Sequence, residues 1–319
     1  MNTTTNSLPN LMFVCALEPK ALRALFEDRF VLDDLKSLGA GVALVARDFS
    51  EERAQAVRLL NKLEIPVSAW LLLPGEQGSW LDPTHTAQAA EIYQALKKWS
   101  GQKGLRWSAV GFGALADQGK ALEKRGSTRT PDMAKVNLIA QARADGFAVE
   151  LVYAGSEAHA NQKLQIHSRR RMTESVPGAD RLIRLQPFTG AQQERFGASP
   201  AGGVGEVCVS STNGSLNLSA PLAGEPKSWQ EFAREVCTAR QKSGAMYIFT
   251  LESCAKQGFL DRLVTLDWNG QAPGGSARAR RRAVAPDLVL SRKGWLGFAA
   301  LAGVVGSALL IVGKKRRKS

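Results

Sequence analysis

Residues 42–73 read VALVARDFSEERAQAVRLLNKLEIPVSAWLLL, and this stretch decides the fold class. It begins and ends with short apolar runs, and between them Val57, Leu60 and Leu63 recur at the spacing of one helix face. Ser50 precedes two acidic residues, which is the pattern of a helix N-cap followed by acids in the first turn. Apolar runs without polar alternation are typical of parallel strands covered on both faces. The stretch therefore predicts a strand, a helix and a second, parallel strand.

The same alternation recurs along most of the chain. Strands are predicted at Leu11–Leu17, Val42–Ala46, Val67–Leu73, Ala109–Gly113, Ala148–Tyr153, Leu182–Leu185, Gly205–Ser210 and Ala245–Leu251. The clearest helices are predicted at Glu51–Leu63, Thr86–Trp99, Asp132–Ala144 and Trp229–Lys242. Eight strands in βα order within residues 11–270 have the size and pattern of a (β/α)8 TIM-like barrel. An open, doubly wound α/β sheet is the alternative.

Three longer stretches, in this order and spacing, resemble a poorly characterised bacterial TIM-barrel family that is itself similar to glycoside hydrolases. They are PVSAWLLLPGEQGSWLDP (66–83), LRWSAVGFGALAD (105–117) and GAMYIFTLESCAKQGFLDRL (244–263). In such proteins strand four typically ends in a Gly-x-Asp-x-Glu-like stretch, whose carboxylates supply the acid and base for cleaving a glycosidic bond. Gly113 and Leu115 stand at the matching positions here. The resemblance thus implies a glycosidase-like barrel whose strand-four acids are lost.

Glycoside hydrolysis generally needs two carboxyl groups, one to protonate the leaving oxygen and one to act as base or nucleophile. Working residues of such barrels lie at the C-terminal ends of the strands. The candidate catalytic acids are Glu252, Glu150 and Asp117, and the candidate ligand-binding residues are Glu18, Asp48, Trp70 and Tyr153. Each of these residues could instead have a purely structural role. Asp117, for example, could begin a helix, and Glu252 could accept a hydrogen bond from the backbone at a strand end.

Because the strand-four acids are missing, the sequence favours a non-catalytic module that binds a carbohydrate-like or small polar ligand, or a partner. The alternative is an active hydrolase that uses relocated carboxylates on a glycan or small polar substrate. A third interpretation makes the barrel a scaffold, with the function residing in the C-terminal segment.

No cofactor or metal is predicted. Gly111, Gly113 and Ala116 fit the dinucleotide pattern G-x-G-x-x-A, but they follow the fourth predicted strand rather than the first, where that fingerprint belongs. The three histidines and four cysteines lack the spacing of metal ligands or of a disulfide framework.

The C-terminal segment carries most of the charge. Of the formal net charge of +13, residues 271–319 hold +10, so residues 1–270 are close to neutral and no nucleic-acid partner is predicted. Residues 295–312 (WLGFAALAGVVGSALLIV) contain no charge and lie between basic flanks, with a tryptophan at one end. This pattern is typical of a single membrane-spanning helix.

The predicted organisation is then a disordered N-terminus (1–10), the barrel (11–270), a basic flexible linker (271–293), a transmembrane helix (294–313) and a basic tail (314–319). The predicted partner is the lipid bilayer. Because residues 1–10 lack the features of a signal peptide, the barrel is placed on the cytoplasmic side.

Overall fold

The structure is a computed structural model that describes residues 10–71, 86–113, 133–154, 179–185, 207–211, 225–242 and 245–268. By compactness the chain divides into two units, Met1–Ala279 and Arg280–Ser319, and all described residues belong to the first. The predicted disordered residues 1–9 and the predicted linker, transmembrane helix and tail from 271 onward lie outside the described residues. Within the described ranges, no helix has the length and apolar character needed to cross a membrane.

The described residues form strands close to where the sequence predicts them. The strands are β1 Leu11–Cys15, β2 Gly41–Ala46, β3 Val67–Leu71, β4 Ala109–Gly113, β5 Ala148–Ala154, β6 Arg181–Leu185, β7 Val207–Ser210 and β8 Met246–Phe249. The helices are α1 Pro19–Glu27, α2 Arg29–Ser37, α3 Glu51–Lys62, α4 Thr86–Lys103, α5 Met133–Ala144, α6 Trp229–Lys242, α7 Leu251–Lys256 and α8 Phe259–Val264.

All strand pairs in the sheet are parallel, in the order β6-β5-β4-β3-β2-β1-β8-β7. The prediction of a closed (β/α)8 barrel is wrong, because no ladder joins β6 to β7 among the described residues and these two strands form the edges of an open sheet. A buried apolar run looks the same in an open and in a closed parallel sheet. Closure depends on one further ladder of backbone hydrogen bonds, which the apolar pattern does not encode.

The open sheet is nevertheless strongly curled. In the sheet order, β5 and β8 are separated by four strands, so a flat sheet would hold them roughly 24 Å apart at about 4.8 Å per step. Instead, Tyr247 of β8 donates a hydrogen bond to Glu150 of β5 at 2.5 Å. The concave face is therefore closed on itself by side chains.

The curl gives the domain two apolar cores. The outer core lies between the convex face of the sheet and the helices, and it includes Phe13, Leu44 and Ile248 with Leu60 of α3 and Phe232 of α6. The inner core fills the concave side. It consists of Met12, Val14, Ala43, Val45, Trp70, Val152, Ile183, Cys208, Tyr247 and Phe249. Because neighbours along each strand alternate between the two cores, every buried strand reads as continuously apolar.

Local signals explain where several helices begin. The Ser50 side chain accepts a hydrogen bond from the backbone N–H of Arg53 at 3.4 Å, so the predicted N-cap of α3 is present. Thr250 caps α7 in the same way, accepting from the Ser253 N–H at 3.3 Å. As a result, α7 starts directly at the end of β8 and carries Glu252 in its first turn.

Candidate functional site

A polar network lies inside the inner core. The indole N–H of Trp70 donates to Glu150 Oε2 at 2.7 Å, and the Tyr247 hydroxyl donates to Glu150 Oε1 at 2.5 Å. Arg181 Nη1 in turn donates to the Tyr247 hydroxyl oxygen at 3.2 Å. We call these four residues of β3, β5, β6 and β8 the inner network. Glu150 is 0% exposed, and both of its carboxyl oxygens are engaged.

Burial dominates the electrostatics of the inner network. It raises the pKa of Glu150 above its usual range, while hydrogen bonds from Tyr247 and Trp70 and the charge of Arg181 act in the opposite direction. Burial and the neighbouring Glu150 also raise the pKa of the Tyr247 phenol. The network therefore holds its hydroxyl proton tightly, as expected of groups that fix the packing of a core.

Three residues of the inner network lie in the first half of their strands, whereas Trp70 is the fourth of the five residues of β3. Arg181 is the first residue of β6, and Glu150 is the third of the seven residues of β5. In folds built from parallel βα units, ligands bind at the C-terminal ends of the strands, and polar residues at the opposite end serve stability. The position of Glu150 thus favours a structural role over the predicted catalytic one.

Gly111 of β4 provides space for the inner network. A Cβ atom at this position would lie 2.3 Å from Cδ1 and 2.9 Å from Nε1 of Trp70, closer than nonbonded atoms approach. The indole ring therefore packs directly on the backbone of β4. This contact gives a packing reason for a glycine within the G-x-G-x-x-A pattern that does not involve a dinucleotide.

The C-terminal ends of four neighbouring strands, β2, β1, β8 and β7, carry a second group of polar residues. We call this group the C-terminal rim and define it by Asp48, Cys15, Thr250, Glu252 and Ser211. Predicted ligand-binding residues Glu18 and Asp48 both follow strands on this side.

Asp48 is already paired. The Asp48 carboxylate accepts hydrogen bonds from Arg53 Nη2 at 2.8 Å and from the backbone N–H of Ser50 at 3.1 Å. Arg53 is only 1% exposed and also donates to the carbonyl of Val45 at 3.1 Å. Although burial acts to raise the pKa of Asp48, the hydrogen bonds from Arg53 and Ser50 lower it. Asp48 thus anchors the start of α3. Glu18 is different, because its side chain is exposed to solvent. Its Oε1 atom lies 3.7 Å from Nη1 of Arg47.

Glu252 is the rim residue with an unsatisfied group. Its Oε2 atom is shielded from solvent and has no hydrogen-bond partner among the described residues. Burial raises the pKa of Glu252 to about 7, although its own backbone, the Thr250 and Cys15 side chains and the Ala16 backbone act to lower it. A carboxylic acid whose pKa lies near neutrality is able to exchange a proton under physiological conditions.

Polar groups beside Glu252 are already engaged. The Ser211 hydroxyl donates to the Phe249 carbonyl at 2.9 Å, and the Gln257 amide donates to the Ser211 carbonyl at 3.3 Å and to Ser253 Oγ at 2.7 Å. Burial also raises the pKa values of Cys15 and Cys254, so these thiols stay protonated. The rim next to Glu252 is therefore held in place by its own hydrogen bonds.

The other predicted site residues divide into two sets. Trp70, predicted to bind a ligand, is fully buried within the inner network. Asp117 and Leu115 lie outside the described residues, and the side chain of Tyr153 is likewise outside what the structure describes. Within the described ranges, no group of His, Cys, Asp and Glu residues is arranged to hold a metal ion.

Sequence reasoning missed Arg181 and Tyr247, which complete the inner network. A signal was present for Arg181, because an arginine at the start of a predicted buried strand requires a partner. Tyr247 gives no comparable signal, since a tyrosine in an apolar strand is ordinary core.

No family model matches the chain, and no curated protein matches it. Among solved structures, it is similar to one described as a "putative alpha-L-fucosidase" from Bacteroides thetaiotaomicron, at 10% identity and a TM-score of 0.52 over 82% of this chain and 97% of that chain. A short-chain dehydrogenase from Burkholderia cenocepacia in complex with NADP is 12% identical over 76% of this chain and 97% of that chain, and its TM-score of 0.24 supports no argument.

The first comparison shows a shared fold and nothing finer, because 10% identity does not carry site residues from one protein to another. The expected likeness to glycoside hydrolases is thus supported at the level of the fold. The loss of the strand-four acidic motif stays a prediction.

Proposed function

We propose that the domain is a glycoside-hydrolase-like module that binds a carbohydrate-like or other small polar ligand at the C-terminal rim without cleaving it. The observation that carries this proposal is the state of Glu150. Both of its oxygens accept hydrogen bonds from buried donors, so it is not available to protonate a leaving group or to attack a sugar carbon.

The composition of β4 supports the same function. Two-carboxylate hydrolysis needs acids on both sides of the scissile bond. Gly111 and Gly113 supply no carboxyl group, and Gly111 is needed for the packing of Trp70. Glu252, one of the three predicted catalytic acids, follows β8 and belongs to the C-terminal rim, which supports the rim as the binding site.

The experiment uses the full chain with two sets of probes. Turnover is measured with p-nitrophenyl glycosides, including the α-L-fucoside, and binding of the corresponding methyl glycosides is measured by ligand-observed NMR. We expect saturable binding of at least one methyl glycoside and no turnover above that of a heat-unfolded sample. The absence of binding to every probe, or enzymatic turnover of any of them, would overturn the proposal.

The second candidate is an active hydrolase that uses Glu252 as its general acid. It is favoured by the position of Glu252 in the first turn after β8, where burial raises its pKa to about 7 and so leaves a proton on this carboxyl near neutral pH. In that case p-nitrophenyl glycoside turnover should fall at least 100-fold in Glu252→Gln, a loss of the size typical for a general acid. The same substitution at Glu91, an exposed residue of α4, is the matched control and should leave turnover unchanged.

We further propose that residues 294–313 anchor the chain in a lipid bilayer, with the domain on the cytoplasmic side. The uncharged run 295–312 and its basic flanks support this proposal. The full chain should remain with membranes after alkaline carbonate extraction, whereas a chain ending at Pro286 should not. Trypsin added to sealed cells should leave the basic linker uncut, and cleavage there would place the domain on the outer side.

A further inference from the structure

The unsatisfied oxygen of Glu252 requires an explanation. A buried polar atom without a partner costs about 1–3 kcal/mol, and most such atoms in proteins have a partner. Glu252 forms no ion pair with any basic group that the structure describes. Among the described residues, Oε2 is therefore short of one hydrogen-bond donor.

The described neighbours do not supply that donor. The Cys15 and Thr250 side chains and the Ala16 backbone lower the pKa of Glu252, but none of them makes a hydrogen bond to Oε2. Ser211 and Gln257 are already hydrogen-bonded to backbone and side-chain oxygens of the same rim. Arg53 directs its donors to Asp48 and to the carbonyl of Val45. Each of these donors would have to break an existing hydrogen bond to reach Glu252, so a donor from outside the described residues is favoured.

The charges around Glu252 indicate what kind of donor fits. The titratable and charged groups facing this region are the Cys15 thiol on β1, the Cys254 thiol on α7 and the Arg53 guanidinium on α3, whose charge reaches Cys15. Both thiols are neutral, because burial raises their pKa values. A cation brought next to this buried carboxyl would also have to lose its own water, so a neutral hydroxyl group suits the site better than an amine.

We propose that Glu252 is the residue that fixes the ligand of the C-terminal rim, its Oε2 accepting a hydrogen bond from a hydroxyl group of a neutral polyol such as a monosaccharide. This inference rests on the proposed binding function and names the residue and the ligand chemistry. A hydroxyl donates more strongly to an ionised carboxylate than to a neutral acid. Ligand affinity is therefore expected to rise with pH, as Glu252 loses its proton around pH 7.

The test measures affinity of the full chain for the methyl glycoside that binds best, at pH 5.5 and pH 8.5, by isothermal titration calorimetry. Wild type should bind roughly tenfold more tightly at the higher pH, and Glu252→Gln should lose that gain, a factor that corresponds to about 1.4 kcal/mol. Glu91→Gln, which alters an exposed carboxylate of α4, should keep the wild-type pH profile. Thermal unfolding of each variant confirms that it is folded.

A second measurement does not depend on the variant. In a chain labelled with ¹³C at the glutamate carboxyl carbons, the Glu252 resonance should titrate near pH 7 without ligand and at a lower pH with ligand bound. Binding that leaves this titration and the pH profile unchanged would overturn the role of Glu252 while leaving the binding function intact. A wild-type chain that binds no methyl glycoside would overturn the binding function itself.

Discussion

Replacing Gly111 with alanine tests whether the Trp70 indole and the β4 backbone are packed as closely as the structure shows. The added Cβ would lie 2.3 Å from Trp70 Cδ1, so either the ring or the strand must move. The ring is held by its hydrogen bond to Glu150 Oε2 at 2.7 Å, and moving it away breaks that bond. The substitution thus combines overpacking with the loss of a hydrogen bond to a buried carboxyl group.

The expected cost follows from these two contributions. Overpacking a core typically costs 1–3 kcal/mol, and a hydrogen bond to a charged group contributes about 1.5–3 kcal/mol. The smaller unfolded-state entropy of alanine returns about 0.4–1 kcal/mol. We therefore expect Gly111→Ala to lower the free energy of unfolding by about 3 kcal/mol.

Equilibrium urea unfolding, followed by tryptophan fluorescence, measures this change. Gly101→Ala is the control: Gly101 lies in α4 with no atom within 4 Å of an added Cβ, so alanine there should be neutral or stabilising by up to about 1 kcal/mol. In a Trp70→Val background the Gly111→Ala cost should shrink to about 1 kcal/mol, because the ring atoms that crowd the added Cβ are gone. An equal cost in both backgrounds, or no difference from Gly101→Ala, would refute the packing argument.

Three further predictions concern the buried titratable groups. Burial raises the pKa of Glu252 from 4.5 to about 7, so the free energy of unfolding of wild type should fall as the pH rises from about 4.5 to 7. In urea unfolding, Glu252→Gln should be more stable than wild type by about 3 kcal/mol at pH 8 and equally stable at pH 4.5. Tyr247→Phe leaves a Glu150 oxygen without its donor and should cost about 1.5–3 kcal/mol in the same assay, with less added cost when Glu150→Gln is already present. Lys227 and Glu235 form a buried ion pair at 2.6 Å, so Lys227→Met should lower the free energy of unfolding by about 3 kcal/mol or more, and a loss below 1 kcal/mol would contradict the pairing.

Much of the strand arrangement was predictable because it depends on local pattern. Runs such as Gly41–Ala46 and Val67–Leu71 are apolar at every position, and only strands covered on both faces require this. The N-cap of α3 at Ser50 was also readable, since capping involves neighbours in sequence. The pair α1 and α2 between β1 and β2 was not among the clearest predicted helices.

The closed barrel was wrong and the inner network was missed for a common physical reason. Both depend on pairing between residues far apart in the chain, such as Glu150 with Tyr247, which are 97 positions apart. A single sequence shows that a glutamate occurs in an apolar strand, but it does not show which donors meet it. Glu150 was therefore predicted as a catalytic acid, whereas its geometry favours a packing role.

Arg181 and Tyr247 have a consequence for how the domain deforms. Arg181 belongs to β6, one edge of the sheet, and Tyr247 belongs to β8, next to the other edge, so their hydrogen bond connects the two ends of the sheet through side chains. A side-chain connection is more compliant than a ladder of backbone hydrogen bonds, because rotamer changes lengthen it without unfolding a strand. We therefore expect the curled sheet to open more easily between β6 and β7, where no ladder joins the described residues, than between strand pairs joined by backbone hydrogen bonds.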